Sequence, residues 1–271
     1  MHPKIKRVID WFSGDKHGTS LINLFKYFMS PPALKKHKLI IRNIKETERY
    51  YVIYMKDIET PLYFPKKLPL ESLWYCINEL CFDYDDHYYE IDETKVAPDD
   101  IVVDSGAAEG LFSLLIMKRC EQVYTIEPLP DYIEALKLTF ANASNVVIMP
   151  YALGEEKGKG LLSENSVGSS LINKGKGVSV DITTIDDLFF NKGVRISYIK
   201  SDTEGSDLAI LKGAEKTIKK YKPKIAITVY HKPDECKQIF EYLKSINPGY
   251  KIKIKGMDYK TQRNVMLHAW M

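Results

Sequence analysis

Residues 101–115 read IVVDSGAAEGLFSLL and carry the strongest indication of the fold in this sequence. An apolar run ends at Asp104 and breaks into a loop with Gly106 and Gly110, after which a second apolar run begins. An acid at the end of a strand, followed by glycines at the turn into a helix, is typical of the edge where doubly wound sheets bind ligands. A tight structural turn is the alternative explanation. The surrounding sequence must therefore distinguish a binding loop from a simple turn.

The chain around this stretch alternates between apolar runs and helical patterns. Apolar runs predict strands at 101–104, 123–126, 146–149, 196–200, 225–229 and 265–269, and helical patterns lie between them at 110–120, 131–142, 206–220 and 234–246. Continuous apolar strands separated by helices predict a mostly parallel sheet covered on both faces. YKIKIKGM and NVMLHAW have no helix between them, so they predict an antiparallel hairpin at the sheet edge. The expected fold is a doubly wound α/β domain over residues 96–271.

Residues 1–95 follow a different pattern and are expected to form an α+β extension that serves the acceptor or an oligomer contact. The stretch SLINLFKYFMS, residues 20–30, places apolar side chains on one helical face: Leu21, Leu24, Phe25 and Phe28. A membrane surface and a dimer partner are alternatives for this face, which we expect to pack on its own domain. RYYVIYM (49–55) predicts a strand and LESLWYCINELC (70–81) a helix. DYDDHYYE (83–90) fits no metal-ligand spacing and is interpreted as a polar connection.

Composition narrows the class of protein. With 271 residues, 45% of them hydrophobic and 28% charged, the chain is typical of a globular protein with a substantial core. A net charge of +3 predicts no nucleic-acid partner. The four cysteines show no C-x-x-C spacing and indicate a reducing compartment, and no apolar run reaches the roughly 18 residues of a membrane span. These features predict a soluble, cytoplasmic protein. They do not decide whether it forms a homo-oligomer.

The glycine loop and the strand after it predict the kind of ligand. The loop reads D-x-G-x-x-x-G, and Ala108 takes the place of the glycine that admits a pyrophosphate, so the pattern argues against NAD. The next strand ends in Glu127, whose carboxylate can accept hydrogen bonds from both hydroxyls of a ribose. With Asp104 near a cationic amino group, the ligand has an amino-acid end and a nucleoside end, as S-adenosylmethionine does. The predicted cofactor-binding residues are Asp104, Gly106, Ala107, Glu109, Gly110, Glu127, Pro128, Ala152, Leu153 and Asp202.

A second signature follows the fourth predicted strand. YIKSDTEGSDLAILKGA, residues 198–214, ends a strand in Asp202 and Glu204 and turns into a helix at Gly205. Strand reversal in a doubly wound sheet makes the first and fourth strands neighbours, so Asp202 is expected to face the loop after Asp104. Acids gathered at one edge of a sheet need cations, a metal or polar ligand groups nearby. The sequence therefore predicts a ligand site shared by the two loops.

Several stretches together resemble a known family. VVDSGAAEG, TIEPLPDYIEAL, YALGEEKG, GSSLI, VDITTIDDL, IKSDTEGSDLAILKGA, YHKPDE and NVMLHAW appear in the order and spacing of the FkbM family of S-adenosylmethionine-dependent methyltransferases. The resemblance covers residues 96–271, and its most specific element is DTEG…LKGA. It implies a class I methyltransferase fold and O-methylation of a sugar, glycan or specialised metabolite.

The reaction of such an enzyme requires an acceptor site and a proton acceptor. Methyl transfer to an alcohol releases a proton, and His231, which follows the fifth predicted strand, is expected to accept it, with Asp202 and Glu204 as alternatives. Ser169 and Ser170 are expected to border the pocket of a small-molecule or saccharide acceptor, and no metal is predicted. Two other functions remain as hypotheses: an NAD-dependent sugar oxidoreductase and a non-catalytic S-adenosylmethionine-binding assembly subunit.

Overall fold

The structure is a computed structural model that describes residues 3–163, 171–172 and 177–271. Within these residues the elements, in chain order, are α1 (Pro3–Phe12), α2 (Leu21–Met29), α3 (Ala33–Ile40), β1 (Ile41–Glu46), β2 (Tyr50–Met55), β3 (Leu62–Pro65), α4 (Leu70–Cys81), β4 (Ile101–Ser105), α5 (Leu111–Ile116), β5 (Gln122–Ile126), α6 (Pro130–Thr139), β6 (Val146–Met149), β7 (Ala152–Leu153), β8 (Gly158–Ser163), β9 (Leu171–Ile172), β10 (Gly177–Thr183), α7 (Ile185–Leu188), β11 (Tyr198–Ser201), α8 (Asp207–Lys212), α9 (Glu215–Tyr221), β12 (Lys224–Thr228), α10 (Glu235–Ile246), β13 (Lys251–Asp258) and β14 (Arg263–Trp270).

A seven-stranded sheet forms the centre of the fold, in the order β13-β14-β12-β11-β4-β5-β6. The five strands from β12 to β6 run parallel, β14 is antiparallel to β12, and β13 pairs with β14 at the edge. The chain winds outward from β4 in both directions, so β4 and β11 meet at the point where strand order reverses. The predicted doubly wound α/β fold with an antiparallel edge hairpin is confirmed.

Helices cover both faces of this sheet, as the alternation of side chains along each strand requires. Val102 and Tyr198 belong to a core shared with α4, α5 and α6, whereas the next residues, Val103 and Ile199, belong to a core shared with α7 to α10. All four side chains are fully buried. The two cores make the parallel sheet a middle layer, which explains why its strands read as continuous apolar runs.

Part of the N-terminal extension packs into the first of these cores. Strands β1, β2 and β3 form an antiparallel sheet, and apolar side chains of β2, β3 and α4 join the cluster that contains Val102. A backbone hydrogen bond of 3.0 Å from the Tyr63 N–H to Thr139 Oγ1 ties β3 to α6. The predicted strand at 49–55 and helix at 70–81 are both present. This half of the extension therefore shares a hydrophobic core with the central sheet.

The helical face at residues 20–30 differs from expectation. Within α2, whose residues are all described, Leu24 is the one buried side chain. Leu21 is 57% exposed and Phe25 is 65% exposed, so the prediction that this face packs on its own domain is wrong for most of its residues. No helix among the described residues is long and apolar enough to cross a membrane.

Two further differences have local causes. The predicted helix at 206–220 is divided into α8 and α9 around Gly213, where an added Cβ would lie 2.0 Å from the carbonyl oxygen of Gly154. At this break the backbone of Gly213 lies against the backbone of Gly154. A larger side chain at position 213 would prevent this contact. A small sheet in the order β7-β10-β8-β9 follows β6, and the sequence had not predicted it. Strands β7 and β9 have only two residues each, and β8 begins with glycine and lysine, so these three strands leave little apolar alternation in the sequence, although β10 does alternate.

Candidate active site

A cavity of about 390 Å³ lies at the carboxyl ends of β4, β5 and β11. This is within the size range of small-molecule sites, and the position is where doubly wound sheets bind ligands. The walls come from the loops after β4, β5 and β11, from α4 and from β7; their residues include Ser72, Tyr75, Cys76, Glu79, Gly106, Ala108, Glu109, Glu127, Pro128, Leu129, Ala152, Leu153, Asp202, Glu204 and Tyr230. Most of the predicted cofactor residues are therefore brought together in one cavity.

Gly106 allows the loop after β4 to touch the loop after β11. Its φ of +68° is in the left-handed region, and an added Cβ would lie 2.0 Å from the carbonyl oxygen of Asp202. Glycine adopts such a conformation without steric cost, and no larger residue fits against this carbonyl. Close contact between the two loops thus requires the glycine that the sequence pattern singled out.

Asp104 lies behind this loop and does not line the cavity. Its side chain is fully buried, its Oδ2 accepts a 2.7 Å hydrogen bond from Ser113 Oγ, and its Oδ1 is 2.9 Å from Lys200 Nζ. Asp104 and Lys200 are register partners on neighbouring parallel strands, so their side chains lie on the same face of the sheet. Lys200 Nζ also donates a 2.9 Å hydrogen bond to the carbonyl oxygen of Gly106. Lys200, held by Asp104, therefore binds the backbone of the glycine loop from behind.

Glu127 lies in the cavity wall, where the sequence had placed a ribose-binding carboxylate. Its Oε2 accepts a hydrogen bond from the Ala108 N–H and its Oε1 one from the Leu129 N–H, both at 2.9 Å. Burial raises the pKa of Glu127 to about 7, although these two bonds and the charge of Lys200 act in the opposite direction. Two backbone groups thus fix the carboxyl group, and each oxygen keeps a lone pair for a ligand.

Two more carboxyl groups in the cavity wall have raised pKa values. Burial raises the pKa of Glu109, in the glycine loop, to about 7, and it does the same to Glu79 on α4. Lys200, behind the loop, is a buried cation that balances part of this charge. Carboxyl groups gathered in a poorly solvated cavity are stabilised by a bound cation. The cavity is therefore suited to a positively charged ligand.

Asp202 is fixed by two hydroxyl groups. Tyr89 Oη donates a 2.6 Å hydrogen bond to its Oδ2, and Thr228 Oγ1 donates a 3.0 Å bond to its Oδ1. Burial alone would raise the pKa of Asp202, but the charges of Lys200 and His231 and the Tyr89 bond hold it below the ordinary value. Asp202 is therefore a carboxylate with a fixed orientation and weak basicity.

Glu204 and His231 lie beside Asp202. The Glu204 side chain lines the cavity, and burial together with the charge of Asp202 raises its pKa, against the influence of His231. His231 is 7% exposed in its side chain and is not part of the cavity lining; its Nε2 is 3.4 Å from Glu204 Oε2 and 3.6 Å from Asp202 Oδ1. The structure thus places His231 behind the two acids.

The remaining predicted residues have mixed positions. Pro128, Ala152 and Leu153 line the cavity. Ala107 and Gly110 belong to the glycine loop after β4 but do not line the cavity. Ser169 and Ser170 lie outside the described residues. Across residues 3–163, 171–172 and 177–271, no group of three or more His, Cys, Asp or Glu side chains is arranged to hold a metal ion.

The sequence led us to expect that the extension serves the acceptor, but it did not identify the residues through which the extension reaches the cavity. Ser72, Tyr75, Cys76 and Glu79 line it from α4, and Tyr89 reaches Asp202 from the segment interpreted as a polar connection. No local signal identifies α4, because its position depends on packing between distant parts of the chain. A signal did exist for Lys200, since a lysine within the buried strand YIKS requires an acidic partner.

Comparisons with known proteins show the family and the fold. The sequence profile described as the methyltransferase FkbM domain matches residues 104–252. The crystal structure of the methyltransferase FkbM from Methylobacillus flagellatus KT is similar in fold, with 24% identity and a TM-score of 0.54, over 74% of this chain and 54% of that chain. The present chain thus spans about half the length of that relative.

More distant structures are also similar. An rRNA methylase from Streptococcus thermophilus has 13% identity over 65% of this chain and 88% of that one, with a TM-score of 0.42. Fibrillarin from Aeropyrum pernix, in complex with natively bound S-adenosyl-L-methionine, has 10% identity over 84% of this chain and 98% of that one, with a TM-score of 0.45. No curated protein matches the chain.

Proposed function

The chain belongs to the FkbM methyltransferase family, and on this basis we propose that it is an S-adenosylmethionine-dependent O-methyltransferase acting on a sugar, glycan or specialised metabolite. The observation that carries the proposal is the cavity at the strand-order reversal, where the fixed carboxyl group of Glu127 lies in an acid-rich wall. An NAD-dependent oxidoreductase is disfavoured, because Ala108 occupies the position where a pyrophosphate would need glycine.

The residues of the cofactor half fit S-adenosylmethionine. Glu127 would accept hydrogen bonds from the ribose hydroxyls, and the apolar side chains of Ala152 and Leu153 would contact the adenine. Glu109 and Asp202 would stabilise the positive charges of the amino group and the sulfonium. Asp104 would act as a positioning residue, because it holds Lys200, which in turn binds the backbone of the glycine loop. When bound, the cofactor supplies an electrophilic methyl group.

We divide the chain into an extension, residues 1–95, and a methyltransferase domain, residues 96–271. Residues from both parts would form the acceptor side of the cavity. Glu79 and Tyr75 on α4 face the cavity together with Tyr230 and Glu204. His87 lies behind Glu79, with its Nδ1 4.0 Å from Glu79 Oε1 and 3.3 Å from Asp85 Oδ1. The acidic partners raise the pKa of His87 to about 9 against the effect of its burial, so a cationic His87 can orient Glu79. Glu79 would then bind hydroxyl groups of the acceptor.

The proton of the acceptor hydroxyl would pass to Glu204. This side chain lines the cavity and has a raised pKa, whereas the carboxylate of Asp202 is held by Tyr89 and Thr228 and is a weak base. Proton removal by a positioned base contributes about 10²- to 10⁴-fold to such reactions. His231, 3.4 Å from Glu204, would position this carboxylate and stabilise its charge before the proton arrives.

Turnover of the methyl donor tests the proposal. The full chain is incubated with S-adenosylmethionine and a panel of monosaccharides, glycans and hydroxylated metabolites, and formation of S-adenosylhomocysteine is followed by mass spectrometry. We expect acceptor-dependent formation of this product together with an acceptor that is heavier by one methyl group. Cofactor binding without turnover on any acceptor would instead favour the assembly subunit.

A further inference from the structure

The first three helices bury two charged side chains and leave most of their large apolar side chains exposed. Arg7 on α1 and Lys36 on α3 are buried, and their charges are met by Asp86 and Asp85 respectively. Arg7 also donates a 3.0 Å hydrogen bond to Thr19 Oγ1. Polar contacts thus contribute to the attachment of these helices, alongside the buried Leu24, while most of their large apolar side chains remain exposed.

The outward side chains form what we term the exposed helical face, defined as the exposed apolar residues of α1, α2 and α3. Ten of the fifteen large hydrophobic side chains that are exposed among the described residues belong to these helices, including Phe12, Leu21, Ile22, Phe25, Phe28 and Met29. Single exposed apolar residues are ordinary, but a concentration of this kind marks an interaction site. The exposed helical face is therefore a candidate surface for a binding partner.

The charge of the same helices identifies the kind of partner. Residues 3–40 contain eight Lys and Arg against two Asp, whereas the whole chain has a net charge of only +3. Lys35 and Lys38 are exposed on α3 beside Leu34 and Leu39. Basic residues next to aromatic and aliphatic side chains on a helix surface are typical of helices that lie in the headgroup region of a membrane. A second copy of the chain would bring two basic faces together, and their repulsion disfavours a dimer through this face.

We propose that the exposed helical face docks the protein on the surface of an anionic lipid membrane. Phe25, Phe28 and their neighbours enter the boundary between headgroups and acyl chains, and Lys35 and Lys38 contact the anionic headgroups. Because α3 packs on α4, which walls the acceptor side of the cavity, docking would bring a lipid-linked saccharide near this wall; that second step rests on the proposed function. Docking itself does not require the protein to be an enzyme.

Vesicle flotation tests the docking step. The full chain is mixed with vesicles of phosphatidylcholine alone or of phosphatidylcholine with phosphatidylglycerol, at low and high salt. We expect flotation with the anionic vesicles, little with the neutral ones, and loss at high salt because surface charges are screened. Absence of flotation with both kinds of vesicle would overturn the proposal.

Variants separate the apolar and the charged contributions. The double variant Phe25→Ser with Phe28→Ser should abolish flotation, and Lys35→Glu with Lys38→Glu should weaken partitioning to anionic vesicles by at least about tenfold. Phe240→Ser and the pair Lys219→Glu with Lys220→Glu, which change exposed residues of α10 and α9, are the matched controls and should float like the wild type.

Two further measurements keep the outcomes distinct. S-adenosylmethionine binding in solution should be the same for all four variants. If the proposed function is wrong, this binding will be absent, whereas vesicle flotation will not be affected. Light scattering reports the association state. A wild-type dimer that the Phe25 and Phe28 variant dissociates, without vesicle binding, would assign this face to a second copy and refute the membrane proposal.

Discussion

Glu127 combines a structural and a proposed binding role, and the two can be measured separately. Glu127→Ala leaves the N–H groups of Ala108 and Leu129 without their acceptor, which costs about 1–3 kcal/mol each in a buried site. The same change removes the proposed ribose contacts, so affinity for S-adenosylmethionine should fall at least about tenfold. Thermal unfolding and calorimetric titration measure the two effects.

Asp186→Ala is the matched control for this change. Asp186 is also buried and accepts backbone hydrogen bonds from Lys216 and Thr217, but it lies outside the cavity lining. Both variants should unfold at lower temperature, and only Glu127→Ala should bind the cofactor weakly. Equal affinities of the two folded variants would show that Glu127 is purely structural.

The carboxyl groups of the acceptor side should separate catalysis from acceptor binding. Glu204→Gln removes the proposed proton acceptor, so kcat should fall about 10²- to 10⁴-fold with little change in donor affinity. Glu79→Gln should mainly raise the KM of the acceptor, by about tenfold, because one charge-assisted hydrogen bond is lost. Glu71→Gln, an exposed change on the same helix, should alter neither constant. An unchanged kcat in Glu204→Gln would remove this residue from catalysis.

Among single residues, the sequence predicted position better than orientation. Asp104, Glu127 and Asp202 were expected at strand ends, and they lie there, because an apolar run that stops at an acid marks the edge of a buried sheet. The direction of the Asp104 side chain was not predictable. It depends on the pleat of β4 and on Lys200 of β11, which is distant in sequence and becomes a neighbour only in the sheet.

The contact between the loops after β4 and β11 depends on a missing side chain. Gly106→Ala introduces left-handed strain of about 1–2 kcal/mol and, in addition, a clash with the Asp202 carbonyl. Gly193→Ala has similar strain at φ +74° but nothing within 4 Å of its added Cβ, so it is the control. We expect Gly106→Ala to lower the thermal midpoint clearly more than Gly193→Ala and to weaken cofactor binding. Equal effects would mean that the two loops separate easily.

The elements themselves were predictable to different degrees. Parallel strands buried on both faces leave continuous apolar runs, so β4, β5, β6, β11 and β12 were visible in the sequence. The position of α4 was not, because a helix pattern states which face is apolar and says nothing about which surface it meets. For α2 the pattern was read correctly as an amphipathic helix, but most of its apolar side chains are exposed, because an amphipathic pattern does not state which surface its apolar face contacts.

The whole molecule contains opposite charge features in two regions: a basic helical layer at residues 3–40 and an acid-rich cavity. The acids give binding a predictable pH dependence. Glu79, Glu109 and Glu127 have pKa values raised to about 7, and a cationic ligand favours their ionised forms and lowers these values. Affinity for S-adenosylmethionine should therefore rise with pH up to about 7, by at most about tenfold per pH unit for each proton released, and level off above it.

Calorimetry in buffers of different ionisation enthalpy would detect the released protons directly. Lys200 is a cation throughout this range, since its acidic neighbours raise its pKa despite its burial, so it should not contribute to the change. Affinity that stays constant or falls as the pH rises toward 7 would contradict the ionisation of these cavity acids on binding of a cationic ligand.

Calorimetric titration of the ligand-free full chain with S-adenosylmethionine and, separately, with NAD tests the identity of the cofactor directly. The geometry of the glycine loop, Glu127 and the acid-rich wall predicts saturable binding of one S-adenosylmethionine per chain and no heat of binding with NAD. Saturable NAD binding without any response to S-adenosylmethionine would show that the cavity is not a site for S-adenosylmethionine.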